Sequence, residues 1–344
     1  LIPNQQFGFR EKHSTIDQVH RITSVIENRL EQKNVCATIF LDVAQAFDKV
    51  WHEGLLHKLN CMFPIQYSKI LESYLLERYF RVKCEEAYSE LKEIKAGVPQ
   101  GSVLGPILYL LYTNDLPHIE GNTIATFADD TAILAVGSTN EEATANLQKS
   151  VSKIYEWTKK WRIKLNEKKS THVNFTNKKI QYIPILINNK IIPYENKAKY
   201  LGMTLDSKLR WKAHVKMKRE ELSLKYKKMC WLLGRHSSLT VNNKLLIYKQ
   251  ILKPIWTYGA QLWGCTKQSN VKIIQTFQNK VLRNIVKAPW YINNKNIHKD
   301  LSVDTVSNEI KKLAISHEHR LHHHVNVEAV QLLDTRNTIR RLKR

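Results

Sequence analysis

Apolar residues recur three to four positions apart across residues 14–33, at Ile16, Val19, Ile22, Val25, Ile26 and Leu30. That spacing lines one face of a 3.6-residue turn and predicts an amphipathic helix, with Ser14 or Thr15 placed to cap it. The β-rich apolar run 35–41 ends at Asp42 and reads as a buried strand. Helical patterning resumes near Glu53 and again over 66–78, and residues 80–84 and 91–95 read as a hairpin pair. Gly97-Val98-Pro99-Gln100-Gly101 is a loop, after which Pro106 opens a helix running to Asp115. Two strands, 124–127 and 131–136, are joined tightly through Ala128-Asp129-Asp130. A helix over 141–161 carries Leu147, Val151, Ile154 and Trp161 on one side. Short strands follow at 172–175, 183–187, 191–194 and 199–205. Helices mixed with an antiparallel hairpin predict an α+β fold rather than a doubly wound sheet. From Leu209 the pattern changes to long helices over 213–235, 241–253 and 270–287, which places a boundary near 206.

The length of 344 residues allows two or three domains, and 43% hydrophobic with 25% charged residues excludes a disordered chain or a coiled coil. Charge changes the picture more. The formal net charge of +23 implies an anionic partner, nucleic acid first and an anionic membrane surface second. Residues 207–253 hold thirteen Lys or Arg against two acids, interleaved with Trp211, Tyr226, Trp231 and Tyr248. Such cations contact phosphates without reading sequence, and such rings pack on sugars or bases. The same residues equally build a helical bundle with a basic solvated face and an aromatic core. The longest apolar run, 103–112, is too short to span a membrane, and no signal peptide is visible. Cys36, Cys61, Cys84, Cys230 and Cys265 are scattered without metal-ligand spacing and read as reduced thiols of an intracellular protein. His317, His319, His322, His323 and His324 lack fixed ligand spacing and nearby cysteines, so they read as a surface helix end.

Asp42, Asp129 and Asp130 each stand at the end of an apolar segment, where a carboxylate is costly unless paired or metal-bound. Converging carboxylates suit Mg²⁺, and two such ions serve phosphoryl or nucleotidyl transfer by clamping the attacking and leaving oxygens. Turn chemistry is the competing explanation: Asp-Asp is common in hairpin turns, and Asp42 alone serves as a strand-end cap.

Three segments in order shift that balance: Ile39-Phe40-Leu41-Asp42-Val43-Ala44-Gln45-Ala46-Phe47-Asp48, Gly97-Val98-Pro99-Gln100-Gly101-Ser102 and Phe127-Ala128-Asp129-Asp130. They resemble the A, B and C motifs of reverse transcriptases, in the form found in non-LTR retrotransposons, particularly jockey-like elements of arthropods. Phe7-Gly8-Phe9-Arg10 is similar to a fingers motif of that family. The segment 161–170 resembles its D motif, and Tyr200-Leu201-Gly202-Met203-Thr204-Leu205-Asp206 its primer grip. The resemblance runs from residue 5 to about 290. It implies a right-hand polymerase: partial fingers over 1–35, a palm with an antiparallel sheet over 36–205, a helical basic thumb over 206–290 and a helical tail over 291–344.

By position, the resemblance gives Asp42, Asp129 and Asp130 to two Mg²⁺ ions (Mn²⁺ as a substitute), with the Val43 carbonyl completing a metal shell. Phe47 takes the place of the sugar gate, a ring that excludes ribonucleotides and favours dNTPs. Gln100 and Gly101 border the nucleotide and template, and Arg10 contacts the triphosphate. Lys169 is the residue that protonates the leaving pyrophosphate, with Lys168 as its neighbour in register. Leu201, Gly202 and Met203 press on the primer end, although a hydrophobic strand with one turn glycine explains them equally well. Lys208, Arg210, Lys212, Lys216, Lys218 and Arg219 hold nucleic acid. The implied partners are an RNA template, a DNA primer and dNTPs, in a ribonucleoprotein of nucleus and cytoplasm with no membrane.

The segment Gln261-Leu262-Trp263-Gly264-Cys265 is shared with such elements and reads as packing. The start at Leu1 leads to the expectation of a fragment without the first fingers motifs and the endonuclease. Two other functions remain open at this stage. A catalytically inactive, maturase-like RNA-binding remnant would bind RNA without extending a primer. A metal-dependent nuclease would use similar carboxylates but leaves Phe47, Gln100 and Lys169 unexplained.

Overall fold

The computed structural model describes residues 1–333. The chain forms two compact units, Leu1–Ile22 with Gln32–Ala198, and Thr23–Glu31 with Lys199–Arg344.

The first unit begins with the helix α1 (Thr15–Glu31), whose second half belongs to the other unit. Ser14 caps α1 reciprocally with Asp17: the Asp17 N–H donates to Ser14 Oγ at 3.2 Å, and the Ser14 N–H donates to the Asp17 carboxylate at 2.9 Å. Next come β1 (Val35–Leu41), α2 (His52–Met62) and α3 (Ile65–Leu75). A ribbon follows, made of β2 (Tyr79–Phe80), β3 (Lys83–Cys84), β4 (Ala87–Tyr88) and β5 (Lys92–Glu93). Then α4 (Leu104–Tyr112) precedes β6 (Thr123–Phe127) and β7 (Asp130–Gly137). The unit closes with α5 (Asn140–Lys160), β8 (Thr171–Phe175) and the small hairpin β9 (Leu186–Ile187) and β10 (Lys190–Ile191). Its principal sheet is antiparallel in the order β6-β7-β1-β8.

Central position in the sheet explains the composition of β1. All seven of its residues are buried, so it reads as continuous apolar sequence rather than alternating. The helix α5 packs on the sheet through Ala143, Leu147, Val151 and Ile154 against Val35, Ala37, Ile39, Ile133 and Ala135. Its N-terminus is closed by the Thr139 hydroxyl, which accepts from the Glu142 N–H. A second cluster joins α2 and α4 through Leu55, Leu59, Leu108, Tyr112 and Trp161. Lys58 is buried there; its ammonium pairs with Asp115 and lies 3.7 Å from the Trp161 ring centroid.

β11 (Lys197–Tyr200) runs across the boundary into the second unit, which contains β12 (Met203–Asp206), α6 (Lys212–Lys228), α7 (Cys230–Leu233), α8 (Val241–Ile247), α9 (Lys253–Thr257), α10 (Ala260–Trp263), α11 (Gln268–Ile285), α12 (Asn294–Asp300), α13 (Val306–His322) and α14 (Val327–Val330). Trp256, Trp263, Tyr248, Phe277 and Val281 are buried in this unit.

Several elements differ from the expectations of the sequence. The helix expected over 66–78 stops at Leu75, and the hairpin expected from 80–84 with 91–95 is a two-step ribbon, β2 with β5 and β3 with β4. Expected helix 213–235 breaks at Met229, whose φ of −108° leaves the helical range. Expected helix 241–253 instead continues through a π-turn over Tyr248–Leu252 into α9, which tolerates Pro254 in its first turn. The strand expected over 199–205 is a hairpin. Leu201 and Gly202 both take positive φ, 44° and 76°, the mark of a tight two-residue turn. The Tyr258 hydroxyl donates to the Leu201 carbonyl at 2.6 Å and pins that turn. Within the histidine-rich stretch, His317 and His324 are buried rather than on the surface. The segment 261–265 packs as expected: Trp263 is buried, and a Cβ on Gly264 would lie 2.4 Å from Ile310.

Gly202→Ala should therefore destabilise the second unit by about 1–2 kcal/mol, from its left-handed φ and the 3.0 Å approach a Cβ would make to the Tyr258 ring. Tyr258→Phe should cost about 1 kcal/mol through the lost hydrogen bond. Urea unfolding followed by circular dichroism measures both, and parent-like midpoints for the two variants would show that the turn is not held this way.

Candidate active site

Register brings the three sequence-distant carboxylates together. Leu41, the last residue of β1, pairs with Thr131 of β7, so Asp42 comes level with Asp130. Across the β6–β7 hairpin Phe127 pairs with Asp130, which leaves Ala128 and Asp129 as the turn. Loss of surrounding water, and then repulsion from Asp42, raises the Asp129 carboxyl above its ordinary value. Asp130 remains open to solvent on one side, yet protein atoms displace much of its water. That desolvation, followed by repulsion from Asp129 and Asp42, pushes it up to about 6. Among the described residues no Lys or Arg is ion-paired with any of the three.

The turn is held from the N-terminal side by a residue that sequence reasoning missed. Gln6 Oε1 accepts from the Ala128 N–H at 2.9 Å and from the Gly8 N–H at 2.7 Å. This clamp secures Ala128 at φ 56°, a left-handed conformation that alanine seldom adopts. Gly8 allows the approach, because a Cβ there would lie 2.3 Å from Ala128 N. The Phe7 N–H adds a bond to the Thr126 carbonyl at 3.0 Å, and Gln18 of α1 donates to that carbonyl at 2.8 Å. The available signal was adjacency: Gln6 immediately precedes the Phe7-Gly8-Phe9-Arg10 segment.

On the other flank, the segment 164–170 is bonded to the end of β1. The Ala44 N–H donates to Lys164 O and the Asn166 N–H to Asp42 O, both at 2.8 Å, and the Asp42 N–H donates to Ser170 Oγ at 3.2 Å. Alternation along the strand then turns the Val43 carbonyl to the opposite edge, the β7 side. Lys168 and Lys169 are exposed immediately before buried Ser170.

Phe47 lies between two rings, edge-on to Phe9 at 5.9 Å and tilted on Tyr109 at 4.7 Å. Tyr109 is buried, and its hydroxyl is driven far above its ordinary pKa by desolvation and then by the charge of Asp129. The Val98 N–H donates to the Phe47 carbonyl at 2.8 Å, and Gln100 Nε2 donates to Asp48 Oδ1 at 2.7 Å. The 97–101 loop and the chain after Asp42 are thus tied together. Gly101 takes φ 80° with open space where a side chain would stand. Arg10 is engaged with the backbone, donating to the Pro3 and Gln6 carbonyls at 3.0 and 3.1 Å.

The remaining sequence-derived candidates lie in the second unit. Leu201, Gly202 and Met203 form the β11–β12 turn and the start of β12. Asp206 accepts from the backbone N–H groups of Lys208, Arg210 and Trp211 at 2.9–3.3 Å and so shapes the entry to α6. Lys208, Arg210, Lys212 and Lys216 are exposed. Lys218 pairs with Glu221 at 3.1 Å, and Arg219 lies over the Phe277 ring at 4.7 Å.

Crowded carboxylates with raised proton affinity and no paired cation have the chemistry of a divalent-cation site. Among the described residues no three His, Cys, Asp or Glu side chains gather closely enough to hold an ion by themselves. The donor set fits Mg²⁺ as an incomplete shell, which that ion accepts because it keeps waters and takes substrate phosphate oxygens.

The chain is 39% identical to the probable RNA-directed DNA polymerase from transposon BS of Drosophila melanogaster, over all of this chain and 39% of the relative. It is 41% identical to that from transposon X-element of the same species, over 95% of this chain and 36% of the relative. With the RNA-directed DNA polymerase from mobile element jockey, also of Drosophila melanogaster, identity is 37% over all of this chain and 39% of the relative. The chain therefore spans less than half the length of these curated relatives. A solved telomerase structure from Candida albicans covers 94% of this chain and 55% of its own, at 13% identity and a TM-score of 0.44. Residues 1–205, which include the three carboxylates and the segments bonded to them, match the reverse transcriptase (RNA-dependent DNA polymerase) family, and the chain belongs to that family.

Proposed function

We propose that this chain carries the polymerase centre of an RNA-directed DNA polymerase of a non-LTR retrotransposon, which adds dNTPs to a primer 3′-hydroxyl on an RNA template. The observation that carries the reading is the convergence of Asp42 with Asp129 and Asp130, the latter two with raised carboxyls, and no cation paired to any of them among the described residues. Asp42, Asp129, Asp130 and the Val43 carbonyl would hold two divalent ions. When bound, the ions acidify the primer hydroxyl and offset triphosphate charge.

The other roles belong to the chain's own groups. The Phe47 ring, braced by Phe9 and Tyr109, would act as the sugar gate and exclude a ribose 2′-hydroxyl. Gln100, whose amide donates to Asp48, and Gly101, beside open space, would border the nucleotide and template. Lys169 supplies the proton to the pyrophosphate oxygen. Arg10 joins the triphosphate site by exchanging a backbone partner for phosphate, a geometry its guanidinium fork suits. Leu201, Gly202 and Met203 form the primer grip. The exposed Lys208, Arg210, Lys212 and Lys216, with Lys218 and Arg219, hold the phosphates of template and primer. In this reading residues 1–35 are partial fingers, 36–205 the palm, 206–290 the thumb and 291–344 the tail, acting in a ribonucleoprotein of nucleus and cytoplasm. Among the described residues no helix is long and apolar enough to cross a membrane.

Incorporation of labelled dTTP on poly(rA)/oligo(dT) with Mg²⁺ or Mn²⁺ tests the mechanism. Asp129→Asn should lower extension by about 100-fold or more. Activity equal to the parent's would sink the assignment, and tight RNA binding without extension in the parent would favour the inactive remnant.

Phe47→Ala should raise rUTP use relative to dTTP by about tenfold or more, read from the two kcat/KM values. An unchanged ratio would remove Phe47 from the gate.

Asp130 has a folded-state value near 6 against about 3.9 unfolded, so it favours the folded state at low pH and loses that contribution as pH rises through 6. Asp130→Asn should accordingly raise the melting temperature at pH 7.5 without metal and leave it unchanged at pH 3.5. Added Mg²⁺ should stabilise the parent more than the variant. A variant less stable than the parent at pH 7.5 would contradict the repulsion described here.

A further inference from the structure

Residues 222–299 contain 14 Lys or Arg and no Asp or Glu. Within this acid-free stretch stand the three most exposed large aromatic side chains of the described residues: Trp290 at 90%, Trp231 at 74% and Tyr291 at 68%. Leaving rings of this size in water forgoes their burial energy, and contiguous apolar exposure marks an interaction site.

The loop that displays Trp290 and Tyr291 is not a loose surface segment. Arg283, from the last turn of α11, reaches beneath it and donates to Ile292 O at 2.7 Å, to Asn294 Oδ1 at 3.1 Å and to the Pro289 carbonyl. Ala288 N–H donates back to Arg283 O at 3.0 Å, and Arg235 donates to Ala288 O at 3.4 Å. The second bond ties the loop to the segment just after α7, the helix that carries Trp231 and packs against α11. Trp290 and Tyr291 meet edge to face at 6.0 Å, with their planes at 82°. Two arginines therefore hold a backbone in place while its largest side chains face solvent. Binding surfaces are organised in this way, because a fixed aromatic face loses little entropy when a partner stacks on it.

We infer that Trp290 and Tyr291 form a stacking platform for single-stranded nucleic acid. The absence of acids fits a polyanion, and flat exposed rings fit unpaired bases, which offer a π-face whatever their sequence. Base-paired duplex offers no such face, so the platform serves unpaired template or the flanks of the element's RNA. A segment without a single acid suits a polyanion better than a protein partner of mixed charge. The choice of RNA rests on the polymerase reading above, but the platform itself does not depend on catalysis.

The test measures anisotropy of a labelled 20-nucleotide oligo(U), without metal or dNTP, so that it reads the platform whether or not the chain extends primers. The double variant Trp290→Ala, Tyr291→Ala should bind at least about tenfold more weakly than the parent. Trp290→Phe, Tyr291→Phe should retain most of the affinity, and all three proteins should bind an abasic phosphodiester of equal length alike. Parent-like oligo(U) affinity in the alanine variant would overturn the platform. So would an equal loss on the abasic strand, which would reassign the effect to phosphate contacts. Concentration-dependent dimers of the parent that the alanine variant cannot form would assign the rings to a second copy of the chain.

Discussion

Three carboxylates set against one another, two of them stripped of much of their water, are the constraint around which the first unit is built. Asp42, Asp129 and Asp130 are drawn into one place by strand register, at a cost seen in the raised proton affinity of the last two. Nothing within the trio relieves that cost, so the surrounding chain must hold the charges in position. A buried central strand sets Asp42, the backbone of 164–170 grips its N–H and C=O, and Gln6 holds the Ala128 turn at an unfavourable φ. Like charge held at a fixed location is what a divalent cation would relieve.

The same economy extends outward from the carboxylates. Phe47 is held by ring contacts on both sides and by a backbone bond to Val98, and that loop is bonded in turn through Gln100 to Asp48. A side chain braced in this way can discriminate by shape, since yielding would require several neighbours to move. The second unit is organised by a different balance. Its aromatic residues are divided between a buried set, such as Trp256 and Trp263, and an exposed set displayed on an arginine-braced loop. Both sets sit in sequence almost free of acids.

Much of the fold was legible along the chain. The buried strand 35–41, the tight 127–130 hairpin and the helix that packs through Leu147, Val151 and Ile154 follow from periodicity and turn residues, because burial and hydrogen bonding at those places are local demands. Misreadings fell where local pattern was ambiguous. Residues 199–205 alternate like a strand, and the positive φ at both Leu201 and Gly202 has only one glycine to announce it. The helical run over 213–235 carries no proline or glycine near Met229, so its break has no sequence mark. Burial of His317 and His324 depends on which helices pack against them.

By itself the sequence determined the family motifs, the carboxylate positions, the excess of positive charge and most elements of secondary structure, because each is encoded in neighbouring residues or in simple periodicity. Tertiary structure alone decided that Asp42 comes level with Asp130, that Gln6 clamps a turn 122 residues away and that Phe47 lies between Phe9 and Tyr109. It also separated the exposed Trp290 from the buried Trp263, two tryptophans in similar basic surroundings. These are contacts between residues far apart in the chain, and their energies depend on distance, register and desolvation, quantities that exist only once the chain has folded.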